Sequence, residues 1–316
     1  MRRLFVAVLG IAVLSLGCSE TDYVLGGSPN GSAGATSTST STGTGSGATP
    51  PLGGLGPFSM PTLVPGLSLP YSADDDPSLT ADQLEIYFNS DRPGGIGGFD
   101  IWKATRASID DPWGPAEVVP QLSSVGTETR ASVEPDGLTI WVTARAFAAT
   151  TGYDIWVSRR ASINDEWSQM EYVAALSSPD DDMATTPGAD FGDIYLARRP
   201  VGTDPWDMFR ILETDTGFGP AAPLDGFNTT GSESDPFVSA SGLALFYTNQ
   251  NFGTAWDDIY VAYRTAPELP FGQEFPVVEL NSPWDDGDLW ISPDLRSAFF
   301  ASNRNGGVWN IYEAHR

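Results

Sequence analysis

A short segment with Asp or Asn followed by an apolar and an aromatic residue recurs five times along this chain. The copies are GGFDIWKATR, TGYDIWVSRR, DPWDMFRILE, AWDDIYVAYR and VWNIYEAHR, and their shared polar position holds Asp100, Asp154, Asp207, Asp258 and Asn310. Successive copies are separated by 54, 53, 51 and 52 residues. A period this regular predicts an array of similar supersecondary units.

Each unit contains more than the repeated segment. A turn and an apolar strand precede it, as in the alternation of Leu84, Ile86 and Phe88. An aromatic residue and a further apolar stretch follow it, as in Trp113 and AEVVPQL. About four strands per unit is the content of a β-propeller blade.

The two ends of the repeated region complement each other. The fifth unit ends at Arg316 after its third strand, and an unassigned apolar segment, Pro61–Pro70, precedes the first unit. Pairing that segment with the last unit removes an open sheet edge. The prediction is an all-β fold over residues 57–316: a single five-bladed β-propeller with four antiparallel strands per blade, closed by an N-terminal strand in the last blade.

The string LTADQLEIYFNSDRPGGIGGFDIW, from Leu79 to Trp102, carries a family resemblance. Its turn, its Ser-x-Arg after the second strand, its Gly-rich loop and its Asp-Ile-Trp resemble the TolB-type, WD-repeat-like β-propeller repeat. The resemblance covers residues 57–316 and implies the propeller fold. It does not imply a role in the Tol system, because propellers serve many functions and the α/β domain of TolB has no counterpart here.

The chain begins with the charge pattern of an exported protein. Arg2 and Arg3 precede an apolar run, Leu4–Leu16, which predicts a secretory signal peptide over residues 1–17. The run is too short to cross a hydrocarbon core of roughly 30 Å as a helix. Cys18, the only cysteine, ends a segment that resembles a bacterial lipobox. The resemblance implies lipid attachment at Cys18, and ordinary cleavage that leaves a free thiol is the alternative.

Residues 18–56 are rich in Gly, Ser and Thr and cannot form a core, which predicts a disordered tether. By resemblance to lipoproteins, Ser19 implies the outer membrane. We therefore expect an exported, monomeric cell-envelope lipoprotein that is attached to the membrane by its N-terminal lipid.

The charge of the chain limits its partners. Asp and Glu number 41 against 16 Lys and Arg, for a formal charge of -25. Nucleic acid is excluded as a partner, because phosphate backbones are bound by clustered basic residues. Cations and basic peptides are favoured instead.

Carboxylates recur just before the first strand of each unit. The first acidic column is Asp74, Glu128, Asp182, Glu233 and Asp286, and two places later the second column is Asp76, Arg130, Ala184, Asp235 and Asp288. Strand periodicity places both columns on one face, at one mouth of the propeller channel. They are candidates for cation or ligand binding, with calcium as one candidate ion, although no EF-hand spacing is present. Hydrogen bonding within the turns is the structural alternative.

These patterns favour a non-catalytic binding protein with no required cofactor. The only histidine is His315, so a Ser-His-Asp triad cannot be assembled convincingly, and near-equivalent carboxylates lack the unlike environments that acid-base catalysis needs. The ligand is a protein, a peptide or a carbohydrate. The alternative is a five-bladed glycoside hydrolase or other carbohydrate-active protein, with Asp76, Glu128 and Asp182 as acid and base. Candidate sugar-stacking residues are Trp113, Trp167, Trp206, Trp256 and Trp284.

Overall fold

The computed structural model describes residues 55–145, 152–188, 192–203, 205–250 and 256–316. These residues belong to one compact unit, Thr49–Arg316, and form five four-stranded antiparallel sheets and one short hairpin. None of the described segments contains a helix that is long and apolar enough to span a membrane. The predicted signal peptide and Cys18 lie outside the described residues.

In four of the five sheets, the strands follow chain order from the centre of the propeller outward. After β1 (Thr62–Leu63), the first blade contains β2 (Asp74–Leu79), β3 (Glu85–Ser90), β4 (Asp100–Thr105) and β5 (Glu117–Val118). The second blade contains β6 (Glu128–Val133), β7 (Thr139–Ala144), β8 (Asp154–Arg159) and β9 (Glu171–Tyr172). The third blade contains β10 (Asp181–Gly188), β11 (Asp193–Arg199), β12 (Asp207–Ile211) and β15 (Ala222–Pro223), with the hairpin β13 (Glu213–Thr214) and β14 (Gly217–Phe218) beside it. The fourth blade contains β16 (Ser232–Val238), β17 (Ala244–Gln250), β18 (Asp257–Tyr263) and β19 (Glu274–Pro276).

The fifth blade is assembled from both ends of the described chain. Its strands are β20 (Asp286–Ile291), β21 (Ser297–Ser302) and β22 (Asn310–His315), and β1 pairs with β22 as the outermost strand. Val64 extends the pairing, since its amide donates to the Ile311 carbonyl at 2.9 Å, and Leu67 beyond it is fully buried. The predicted five-bladed propeller and its closure by an N-terminal strand are confirmed.

Apolar side chains hold each blade against the next. The second strand of a blade lies between two other strands and is covered on both faces, as the buried Tyr87 and Phe88 of β3 show. Tyr87 packs with Ile140 of the second blade, and the Trp167 indole donates a hydrogen bond to the Tyr87 hydroxyl at 3.1 Å. Five such apolar layers, one at each junction, form the core.

The innermost strands β2, β6, β10, β16 and β20 contact one another in a closed cycle around the channel. Each is interrupted by a β-bulge near its start, where the register with the second strand shifts. In four blades the bulge contains a residue with positive φ that is not glycine: Asp76, Arg130, Asp235 and Asp288, with φ of 52°, 49°, 52° and 53°. Left-handed backbone at such residues is costly and tends to occur at functional sites.

Candidate functional site

The first acidic column lies inside the turns that enter the blades. All five carboxylates are fully buried. Each accepts a backbone N–H from a residue four or five positions earlier, as from Leu69 to Asp74 at 2.7 Å and from Thr229 to Glu233 at 2.9 Å. Arginines complete some of these contacts, as Arg198 Nε does at 2.6 Å from Asp182 Oδ1. The first column therefore anchors the loop at the entrance of each blade.

Four residues of the second column, Asp76, Arg130, Asp235 and Asp288, face the channel instead. Three of them, Asp76, Asp235 and Asp288, converge on the fourth, Arg130, and we call these four residues the Arg130 cluster. Arg130 Nε lies 2.5 Å from Asp235 Oδ1 and 3.6 Å from Asp76 Oδ1, and Arg130 Nη2 lies 3.6 Å from Asp288 Oδ1. One carboxylate oxygen from each of the three aspartates lies within 4.8 Å of the other two. The guanidinium thus neutralises part of a concentrated negative charge.

The three carboxyl groups of the Arg130 cluster have unlike environments. Burial alone would raise the pKa of Asp235, but the adjacent Arg130 guanidinium lowers it below its ordinary value. Burial and the charges of Asp76 and Asp235 raise the pKa of Asp288 well above its usual range. Burial also raises the pKa of Asp76, although Arg130 opposes the shift. The Arg130 guanidinium and burial therefore drive the pKa values of these neighbouring carboxyl groups apart, lowered at Asp235 and raised at Asp288.

The Arg130 cluster forms part of the wall of a cavity of about 460 Å³, and we call it the mouth cavity. Its remaining wall comes from all five blades and includes an aromatic residue from four of them. These aromatic residues are Phe99, Tyr153, Trp206 and Trp309, all half-buried. A polar cluster beside aromatic faces is the composition of a ligand site rather than of a structural core.

The aromatic residues occupy one position of the repeat, immediately before the third strand. The backbone carbonyl at this position accepts the amide of the first-column residue in the next blade, as between Phe99 and Glu128 at 2.9 Å and between Trp206 and Glu233 at 3.0 Å. Of the four aromatic residues in this column, only Trp206 was among the candidates predicted from the sequence. The column is visible in the sequence when the five repeats are aligned, because four of the five residues that directly precede Asp100 and its equivalents are aromatic.

The fourth blade departs from this column, because it carries Asp257 where the others carry an aromatic residue. Asp257 lines the mouth cavity, and its amide donates to Asp285 Oδ1 at 3.1 Å. Burial, followed by the charges of Asp285 and Asp235, raises the pKa of Asp257 to about 6. A carboxyl with this pKa exchanges its proton close to neutral pH.

Two tryptophans that contact each other lie beside Asp257 and its hydrogen-bond partner Asp285 in the chain. Trp256 precedes Asp257 and Trp284 precedes Asp285, and their ring centroids are 5.5 Å apart. Their exposed fractions are 38% and 40%. Two other candidate stacking residues lie elsewhere: Trp167 packs on Tyr87 between blades, and Trp113 lies edge-on to Phe299. Of the predicted candidates, Trp206 lines the mouth cavity, and Trp256 is next in the chain to the cavity residue Asp257.

The Arg130 cluster is the one group of carboxylates in the described part of the chain whose spacing suits a metal ion. The cluster contains three carboxylates, whereas calcium takes six to eight oxygen ligands. Arg130 Nε, 2.5 Å from Asp235, already supplies positive charge there. Calcium binding stays a prediction from the sequence.

No protein-family model and no curated protein sequence matches this chain. Solved structures do resemble it. An endo-arabinase from Bacteroides thetaiotaomicron is 14% identical, with a TM-score of 0.54 over 82% of this chain and 97% of that one. A thermostable family-43 glycoside hydrolase is 11% identical, with a TM-score of 0.51 over 80% of this chain and 91% of that one. A putative TolB from Agrobacterium tumefaciens is 13% identical, with a TM-score of 0.44 over 81% and 89%. At these identities the first two likenesses show a shared fold and nothing more.

The non-catalytic interpretation requires correction. The endo-arabinase and the family-43 glycoside hydrolase, both with TM-scores above 0.5, are carbohydrate-active proteins, so the fold of this chain gives no preference to a non-catalytic binding role. The carboxylates are also not the equivalent copies that the repeat predicts. Arg130 takes the place of a carboxylate in the second blade and lowers the pKa of Asp235, whereas burial and the neighbouring aspartates raise the pKa of Asp288.

Proposed function

We propose that this chain cleaves glycosidic bonds in the mouth cavity. The observation that carries the proposal is the pairing of an ionised carboxylate with carboxyls of raised pKa along one aromatic-lined wall. Glycoside hydrolysis uses two carboxyl groups, one that donates a proton and one that remains charged. Such a pair requires environments that separate the two pKa values, and this cavity supplies them.

The aromatic column is suited to a carbohydrate. Sugar rings present apolar C–H faces, which pack on aromatic rings, and hydroxyl edges, which need polar partners. Phe99, Tyr153, Trp206 and Trp309 supply aromatic faces from four blades, and Ser232, Thr129 and Gln250 supply polar groups on the same wall. A polar ligand with apolar faces therefore matches this lining better than a simple cation does.

Asp235 is the residue that acts as the charged carboxylate. Arg130 keeps it ionised, and it lines the mouth cavity. Negative charge there stabilises the positive charge that develops at the anomeric carbon, and it can accept the proton of the attacking water. Asp76 belongs to the same cluster, whereas the earlier candidates Glu128 and Asp182 are engaged in the entrance turns.

We further propose that the protein is exported and held on the outer membrane by a lipid on Cys18. Arg2, Arg3 and the apolar run before Cys18 support this, and residues 18–56 would tether the propeller. Two or more acyl chains, at about 0.8 kcal/mol per buried methylene, would give stable attachment. Metabolic labelling with a radioactive fatty acid tests it, and a Cys18→Ala variant should incorporate no label.

The test of the catalytic proposal is an assay of the purified protein for new reducing ends on arabinan, xylan and fructan. We expect turnover of at least one glycan and a loss of about 100-fold or more in Asp235→Asn, because the charged carboxylate is removed while its volume is kept. Asp110→Asn, on an exposed loop after β4, is the matched control and should retain full activity. Absence of new reducing ends from every glycan would refute the proposal.

A further inference from the structure

The position of Asp257 in the fold is equivalent to that of the four cavity aromatics. Tyr153 donates its amide to Asp181 Oδ1 at 2.9 Å, Trp206 donates its amide to Ser232 Oγ at 3.0 Å, and Asp257 donates its amide to Asp285 Oδ1 at 3.1 Å. These bonds fix the backbone in the same place in three blades. Asp257 therefore presents a carboxyl where the other blades present a ring.

Asp257 is better placed to reach a substrate than the carboxyls of the Arg130 cluster. Asp235 lies 2.5 Å from Arg130 Nε, and Asp76 accepts the Arg130 amide at 3.3 Å. Asp257 is half-buried on the wall, and no ion pair joins it to a basic side chain among the described residues. A proton carried by Asp257 can therefore be transferred without breaking a salt bridge.

The charges around Asp257 favour its protonated form. Burial has the largest effect, Asp285, Asp235 and Asp258 add negative charge, and Arg130 opposes them from across the channel. The resulting pKa of about 6 is suited to an acid that works near neutral pH. Because ionised Asp235 is one source of the shift, the charged carboxylate helps to keep its partner protonated.

We propose that Asp257 is the proton donor for the cleavage in the mouth cavity, an inference that rests on the proposed function. The Asp257 carboxyl transfers its proton to the glycosidic oxygen as the bond from that oxygen to the anomeric carbon breaks. Water forms the new bond to the anomeric carbon and gives one proton to Asp235, and proton return to Asp257 completes the cycle. One water molecule is consumed and two hydroxyl ends are produced.

The test compares two substrates in Asp257→Asn. On the natural glycan we expect a loss of about 100-fold or more in kcat, because a general acid contributes about 10²–10⁴-fold. On an aryl glycoside of the same sugar with an acidic phenol as leaving group, we expect little loss, since that group departs without protonation. In the wild type, activity on the glycan should fall as pH rises above about 6, and this alkaline limb should be absent in Asp257→Asn.

Several results would overturn the donor role. Equal losses on both substrates would indicate a structural effect, and full glycan activity in Asp257→Asn while Asp235→Asn is inactive would refute the donor role and leave the proposed function standing. Failure of the wild type to cleave any glycan would refute both. Carboxyl ¹³C NMR of the wild-type protein checks the same point without a variant: titration of Asp257 near pH 6 supports the role, and titration near pH 4 contradicts it.

Discussion

Replacement of Asp257 by Asn should raise the free energy of unfolding above that of the wild type. This gain over the wild type should grow as pH rises. A carboxyl with a raised pKa binds its proton more tightly in the folded protein than in the unfolded chain. Stability is therefore lost as pH rises from the ordinary pKa of 3.8 toward the folded value of about 6. Asn keeps the shape of the side chain but has no charge to bury, so the variant escapes this loss.

The size of the effect follows from the two pKa values. Each unit of difference is worth about 1.4 kcal/mol, so the interval from 3.8 to about 6 corresponds to roughly 3 kcal/mol. Screening at a half-buried carboxyl reduces this, and we expect a gain of roughly 1–3 kcal/mol in the free energy of unfolding above about pH 7. Near pH 4 the gain should be a few tenths of a kcal/mol, because Asp257 is then protonated in the folded protein.

Urea unfolding followed by tryptophan fluorescence measures this difference. Wild type, Asp257→Asn and the control Asp110→Asn are unfolded at about pH 4, 5, 6, 7 and 8, and the variant is always compared with the wild type at the same pH. Shifts common to all three proteins, from the acidic residues other than Asp257 and Asp110, then cancel. A constant difference across the series, or a variant that becomes less stable relative to the wild type as pH rises, would refute the reasoning about the charge on Asp257.

Three further expectations concern other parts of the molecule. Arg130→Met should destabilise the protein by about 3–5 kcal/mol at neutral pH and less in acid, because it leaves buried carboxylates unpaired; equal losses by urea unfolding at both pH values would contradict this. Leu67→Ala should cost about 2–5 kcal/mol in the same assay, since Leu67 is fully buried beside the closing strand; a neutral change would show that closure adds little. Replacing Trp256 and Trp284 together by Ala should raise KM about tenfold and leave the Tm unchanged, because the rings are exposed; an unchanged KM would remove them from substrate binding.

The propeller could be predicted from the sequence because its signals are local and repeated. The residue pattern around Asp100 recurs at every blade, and the third-strand segments it predicted are present as β4, β8, β12, β18 and β22. Closure could be predicted as well, because Pro61–Pro70 matched a missing strand. The structure confirms the pairing, with Thr62 opposite Glu313 and Leu63 opposite Tyr312.

The direction of the carboxylates could not be predicted. Strand alternation places Asp74 and Asp76 on the same face, since they are two residues apart. The bulge after Asp75 and the φ of 52° at Asp76 break that alternation. The Asp74 side chain is therefore buried against the preceding loop, whereas Asp76 lines the channel. No local pattern in the sequence predicts such a bulge. The role of Arg130 was missed for a related reason, because its partners come from three different blades.

The bulges also make the inner wall of the propeller modular. A bulged residue is not needed for the ladder between the first and second strands, so its side chain can change without disturbing the sheet. Left-handed backbone admits Asp and Asn more readily than branched residues, which explains why carboxylates gather there. A family of such propellers could acquire new reactions by exchanging one inward-facing residue per blade while the sheets around the channel stayed the same.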